Sequence, residues 1–110
     1  MSKEFLLGLN FRKEAVKIEG KNFTVKEMDA KTSQSYSNSL YKVVNGKVKY
    51  DTSTAMTKLV MLTLCDEEGN RIFGDNDHGL IEQLPGHIVE KVFKVAQKLN
   101  NLDAEEVEKN

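Results

Sequence analysis

A chain of 110 residues can bury one modest core without staples and is too short for two independent domains, and at 39% hydrophobic residues it is too apolar to be disordered. Its 16 Lys and Arg against 17 Asp and Glu leave a net charge of −1, which excludes a global field drawing it to nucleic acid or anionic lipid, so partner choice must be local. The single cysteine, Cys65, excludes an internal disulfide and fits a reducing cytosol, while an apolar run no longer than Leu59 to Leu62 excludes a bilayer-spanning helix.

Residues 1–14, MSKEFLLGLNFRKE, carry Phe5, Leu6, Leu7, Leu9 and Phe11 without a sustained period, and Gly8 and Asn10 interrupt any signal-peptide-like apolar region. They are expected to form a flexible N-terminal arm, docked either on the core or on a partner. Val16 and Ile18 then alternate with charged residues, EGKN supplies a turn, and Phe23 and Val25 alternate again, which predicts a short hairpin. Thr24 and Glu27 have the spacing of a capping box, predicting a helix from about Lys26 with Met28, Thr32, Tyr36 and Leu40 on one face. The serines at 33, 35 and 37 compete for backbone hydrogen bonds, so that helix depends on packing. Asn45-Gly46 suits two structures. One is a type I′ hairpin pairing Val43 with Val48 and Tyr41 with Tyr50; the other is the left-handed end of a helix.

From Thr52 onward, Ala55, Met56, Leu59, Val60 and Thr63 recur at helical steps, with Asp51 or Thr52 available as cap. A helix is favoured there over a buried strand at residues 59–64. Leu80, Ile81 and Leu84 align on a further short helix that Pro85 closes. The clearest periodicity follows: Ile88, Val92, Val95, Leu99 and Leu102 form one stripe, with Val89, Phe93 and Ala96 beside it and Glu90, Lys94, Gln97 and Lys98 opposite. The closing DAEEVEKN, with Asp103 as cap and Glu106 reaching back, has Val107 as nearly its only apolar anchor and is expected to fray. The expectation is therefore an α+β, predominantly helical, single small domain over residues 15–102 with a short N-terminal β-hairpin, between the arm at 1–14 and a frayed tail at 103–110.

Residues 65–79, CDEEGNRIFGDNDHG, invite a metal-loop reading. An EF-hand frame starting at Asp75 puts Leu80 where the bend glycine belongs and Gly86 where the bidentate glutamate belongs; a frame starting at Asp66 puts Arg71 and Asp77 there. Neither frame works, and the residues read instead as a solvated turn at Asp66 to Asn70, with Asp75 or Asp77 capping a helix. Cys65, His78 and His87 share no zinc-ligand spacing, and Cys65 at the end of an apolar run reads as a buried inert thiol. No catalytic residue, metal or cofactor is assigned. Lys42, Lys47 and Lys49 with Tyr41 and Tyr50 form a small basic and aromatic cluster that reads as a solvated face, since single-strand binders need a broad positive groove. A small metal- or nucleic-acid-binding regulatory protein remains the alternative class.

The order of the pieces is distinctive. A hairpin running into TVKEM, then KLVMLTLCDEEGNRIFGDND, the break LIEQLPGHIVEKVF and the closing AQKLNNLDAEEVEKN together resemble the tail assembly chaperones of long-tailed bacteriophages. The resemblance covers most of residues 15–110. It implies a non-enzymatic, non-virion factor of the host cytoplasm, without membrane or nucleic-acid partners. Such a factor binds the tape measure protein, recruits subunits of the major tail tube protein and works as a homo-oligomer. It also implies that the acidic stretch joins helices ahead of Phe73 as a core anchor, and it tips Asn45-Gly46 toward a helix end. Candidate partner contacts are Leu80, Ile81 and Leu84 on the short helix and Phe5, Leu6 and Leu9 on the arm, each competing with an ordinary core role.

Overall fold

A computed structural model describes residues 2–50 and 54–102. The expected caps at Asp51 or Thr52 and at Asp103, and the expected fraying of 103–110, lie outside the described residues. The predicted hairpin is present as β1 (Lys13–Ile18) and β2 (Lys21–Lys26), antiparallel with Val16 opposite Phe23. Its two-residue loop holds both Glu19 (φ 50°) and Gly20 (φ 82°) in the left-handed region, the geometry of a type I′ turn whose twist matches the strands. Preceding it, Ser2–Leu7 forms a short helix, α1, that the sequence period does not indicate.

The predicted capping box is not used. Thr24 lies inside β2, opposite Ala15 on one side and Cys65 on the other. Glu27 ties down the strand entry instead: it accepts from the Arg12 amide at 2.9 Å, and its own amide donates to the Arg12 carbonyl at 2.8 Å. The next helix, α2, therefore runs from Ala30 to Ser39 with Asp29 as its cap, the carboxylate accepting from the Thr32 amide at 2.8 Å. That bond holds the Asp29 carboxyl below the usual carboxylate range, with Lys31 helping. The predicted face is otherwise right, since Met28, Tyr36 and Leu40 are buried.

Asn45-Gly46 is a hairpin turn rather than the helix end that the resemblance favoured. Asn45 (φ 53°) and Gly46 (φ 78°) join β3 (Tyr41–Val44) to β4 (Lys47–Tyr50) in the register Tyr41 to Tyr50 and Val43 to Val48. Helix α2 has already ended at Leu40, whose amide donates to the Ser37 and Asn38 carbonyls. With two sheets and five strands among the described residues, the domain is mixed α+β and less predominantly helical than the sequence period suggests.

The apolar run at 55–65 divides between the two rival readings. Ala55–Thr63 is a helix, α3, and Leu64–Cys65 is a short strand, β5, which pairs antiparallel with β2 to give the sheet order β1-β2-β5. A loop follows, closed by an Asx-type turn in which the Asp66 carboxylate accepts from the amides of Glu68 and Asn70 at 3.0 and 2.9 Å. It leads to α4 (His78–Ile81) and α5 (Gly86–Leu99), with Pro85 as the residue before α5. Asp77 precedes α4 without capping it; its carboxylate accepts from the Gly74 amide at 2.7 Å instead.

Helix α5 packs on α3 and on the sheet face of β1 and β2. Its buried line is Val89, Val92 and Ala96, with Ile88 and Val95 half-buried, so the buried face is turned slightly from the stripe expected. Asn100 latches its end: the side-chain carbonyl accepts from the Met28 amide at 2.8 Å, while its amide group donates to the Ala96 carbonyl at 2.9 Å. Leu59, Val60, Val25, Ile81 and Val92 form the centre of the core, and Phe73 packs against its edge as an anchor.

Candidate partner-binding surfaces

Three surfaces stand out on this scaffold. The first is the arm, where Phe5, Leu6, Leu7, Leu9 and Phe11 are between 53% and 78% exposed. Three consecutive apolar residues in a helix of a turn and a half point in different directions, so no single face of α1 can bury them all. The candidates on α4 divide. Leu80 is 51% exposed, Ile81 is completely buried and serves the core, and Leu84 is packed against the core.

The second surface is the β3–β4 hairpin, which sequence reasoning did not single out as a contact surface. Alternation along two strands in this register places Tyr41, Val43, Val48 and Tyr50 on one face, all between 47% and 73% exposed, and Lys42, Val44, Lys47 and Lys49 on the other. The tyrosine rings pack at 5.2 Å between centroids, tilted by 58°. The ribbon is thus apolar on one side and basic on the other. An isolated two-stranded hairpin is marginally stable alone, and covering the apolar face stabilises it. Strict alternation around an Asn-Gly pair was the signal in the sequence.

The third surface is a groove of about 580 Å³ bordered by α2, α3 and the loop before α4. Tyr36, Met61 and Leu62 form its apolar floor, while Lys31, Lys58 and Arg71 stand around it. The Tyr36 hydroxyl donates to the Ala55 carbonyl at 3.0 Å, joining α2 to α3; burial, with Tyr50 nearby, pushes its phenol up to about 12. Arg71 donates to the Asp75 carboxylate at 3.0 Å and to the Met61 carbonyl at 3.1 Å, and the Lys58 ammonium reaches the Ser39 carbonyl at 3.4 Å. The Thr57 hydroxyl hydrogen-bonds the His78 ring and so fastens α4 to α3. No spacing in the sequence announces this groove, because its walls come from segments brought together only by folding.

The acidic loop offers no cation cage: among the described residues, no three His, Cys, Asp or Glu side chains converge. Its carboxylates at Asp66 and Asp77 are occupied by backbone amides. Cys65 is buried as predicted, its thiol donating to the Thr63 carbonyl, and burial pushes its pKa up, which makes it a poor nucleophile at neutral pH. Among the described residues, no helix is long and apolar enough to cross a membrane.

No protein-family model matches the chain, and no curated protein sequence does. Its fold, however, is that of the bacteriophage HK97 tail assembly chaperone, with a TM-score of 0.63 at 20% identity over 89% of this chain and 96% of that one. The resemblance read from the residues is thus matched in three dimensions, over nearly the whole chain.

Proposed function

We propose that this protein is a tail assembly chaperone of a long-tailed bacteriophage. The observation that carries the reading is the fold shared with the HK97 chaperone across nearly the full length of both chains. On this reading the protein is not an enzyme. It acts in the host cytoplasm, binds the tape measure protein and recruits subunits of the major tail tube protein, so that the tube polymerises around the tape.

The physical problem is one of exposed apolar surface. A long helical client shows apolar faces before the tube encloses them, and contiguous faces of that kind aggregate. A chaperone of 110 residues covers such a client only in several copies, and repeated weak contacts give avidity while each stays displaceable. Exposed Phe5, Leu6, Leu9 and Leu80, together with the Tyr41, Val43, Val48 and Tyr50 face, are suited to shallow contact of this kind. The Asx turn and the inward-facing thiol support this reading over a metal-dependent regulator.

The test is co-expression with tagged fragments of the tape measure protein from the same phage. Fragments that precipitate alone are expected to stay soluble and to co-elute with this chain in stoichiometric excess. A Val43→Lys/Val48→Lys variant and a Phe5→Ser/Leu6→Ser variant separate the two apolar appendages. A folded protein that leaves every fragment insoluble and never co-elutes overturns the proposal.

A further inference from the structure

We propose that the groove between α2 and α3 is a binding site for an acidic, apolar peptide segment of a partner protein, held at its carboxylates by Lys31 and Lys58. The proposal rests on the chaperone reading only for which protein supplies the segment; the chemistry of recognition comes from the groove. Lys31 from α2 and Lys58 from α3 line one concavity, together with Arg71 whose charge Asp75 offsets, in a chain whose net charge is −1. Among the described residues lining it, the carboxylate is Asp75, exposed and already bonded to Arg71. Asp29 accepts from the first turn of α2 and also interacts with the Lys31 charge, which it partly offsets. Lys58 rests on a neutral carbonyl, that of Ser39, so its charge is oriented without being cancelled. Such a rim favours negative charge in what sits there.

The floor decides against a polyanion. Half-buried Leu62, with the nearly closed Tyr36 and Met61, makes the lining apolar and poorly wetted by water. Tyr36 is only 6% exposed, with its hydroxyl bonded to Ala55, so it offers no open ring for a base to stack on. A space of about 580 Å³ holds a few side chains of a helix or turn, a size typical of peptide and ligand clefts. Leucines seated on the floor, with flanking glutamates reaching Lys31 and Lys58, satisfy both parts at once.

The test uses a fluorescently labelled synthetic helix-forming peptide of leucine and glutamate, its counterpart with lysine in place of glutamate, a single-stranded oligonucleotide and inorganic phosphate. Anisotropy is expected to show saturable binding of the glutamate peptide that weakens as salt rises, with the lysine peptide at least tenfold weaker. Lys31→Glu/Lys58→Glu should weaken the glutamate peptide at least tenfold, while the charge-matched Lys13→Glu/Lys17→Glu on the exposed side of β1 leaves it unchanged. Circular dichroism confirms folding, and Lys31→Gln/Lys58→Gln, which reverses no charge, serves if the first variant does not fold. Equal binding of both peptides, indifference to the lysine variants, or binding of oligonucleotide or phosphate with the glutamate peptide inert overturns the proposal. An inert peptide with intact capture of tape measure fragments removes the groove site alone; a bound peptide without capture removes the chaperone reading alone.

Discussion

Tyr36→Phe tests how the helical half is joined, because it deletes one atom. The hydroxyl donates to the Ala55 carbonyl at 3.0 Å from a residue only 6% exposed, so truncation leaves a ring of nearly the same volume and an acceptor without its donor. A net loss of about 1 kcal/mol at neutral pH is expected, which in urea moves the midpoint down by roughly 0.5–1 M. A second signature follows from ionisation. The phenol is pushed up from 10.0 to about 12 in the folded protein, so between those values the unfolded chain releases a proton that the folded one keeps. The stabilisation is complete below pH 10 and disappears as pH rises through about 12, a loss on the order of 2–3 kcal/mol that phenylalanine cannot show. Lysines and the other tyrosines titrate in the same window, so the informative quantity is the difference between wild type and variant. Urea titrations from pH 8 to 11.5 should show the wild-type advantage shrinking and then reversing at the alkaline end. Parallel curves, or equal midpoints at pH 8, refute the reasoning.

The two neighbours on α4 should separate cleanly in chemical denaturation: Ile81→Ala, at a completely buried site, is expected to cost about 2–5 kcal/mol, and Leu80→Ala, on the outside, less than about 0.5. Asn100→Ala removes the acceptor for the Met28 amide and is expected to cost about 1–3 kcal/mol, with amide exchange at Met28 rising before exchange in the centre of α5. Cys65 should react slowly with a thiol reagent at pH 7.5 while the protein is native and at the rate of a free thiol in denaturant, since both burial and a raised pKa suppress its thiolate. Fast native labelling of Cys65 contradicts the placement of β5 against β2.

What local order encodes was readable in advance. The period of α5, the alternation of β1 and β2, the turn at Asp66 to Asn70 and the inward thiol each follow from neighbours within a few residues, and the structure contains all four. The failures have a common cause. Thr24 and Glu27 have the spacing of a cap, yet β-pairing with Ala15 and Cys65 and the bonds to Arg12 involve residues that the local pattern does not include. Asn45-Gly46 was locally compatible with a hairpin turn and with a helix end; the resemblance favoured the helix end, and the structure holds the hairpin with Val43 opposite Val48 and Tyr41 opposite Tyr50.

The chain itself determined which segments carry an apolar stripe and where it turns, because backbone sterics and side-chain periodicity act over one or two turns of structure. Tertiary contact determined the rest. Leu64 leaves helix α3 for a strand because β2 offers Val25 and Thr24 as partners there. Likewise, Lys31, Lys58 and the Arg71–Asp75 pair line one groove only once α2, α3 and the loop come together beside Tyr36. Hydrogen-bond pairing and charge convergence depend on distance in space, and a linear order of residues specifies those distances only through the fold as a whole.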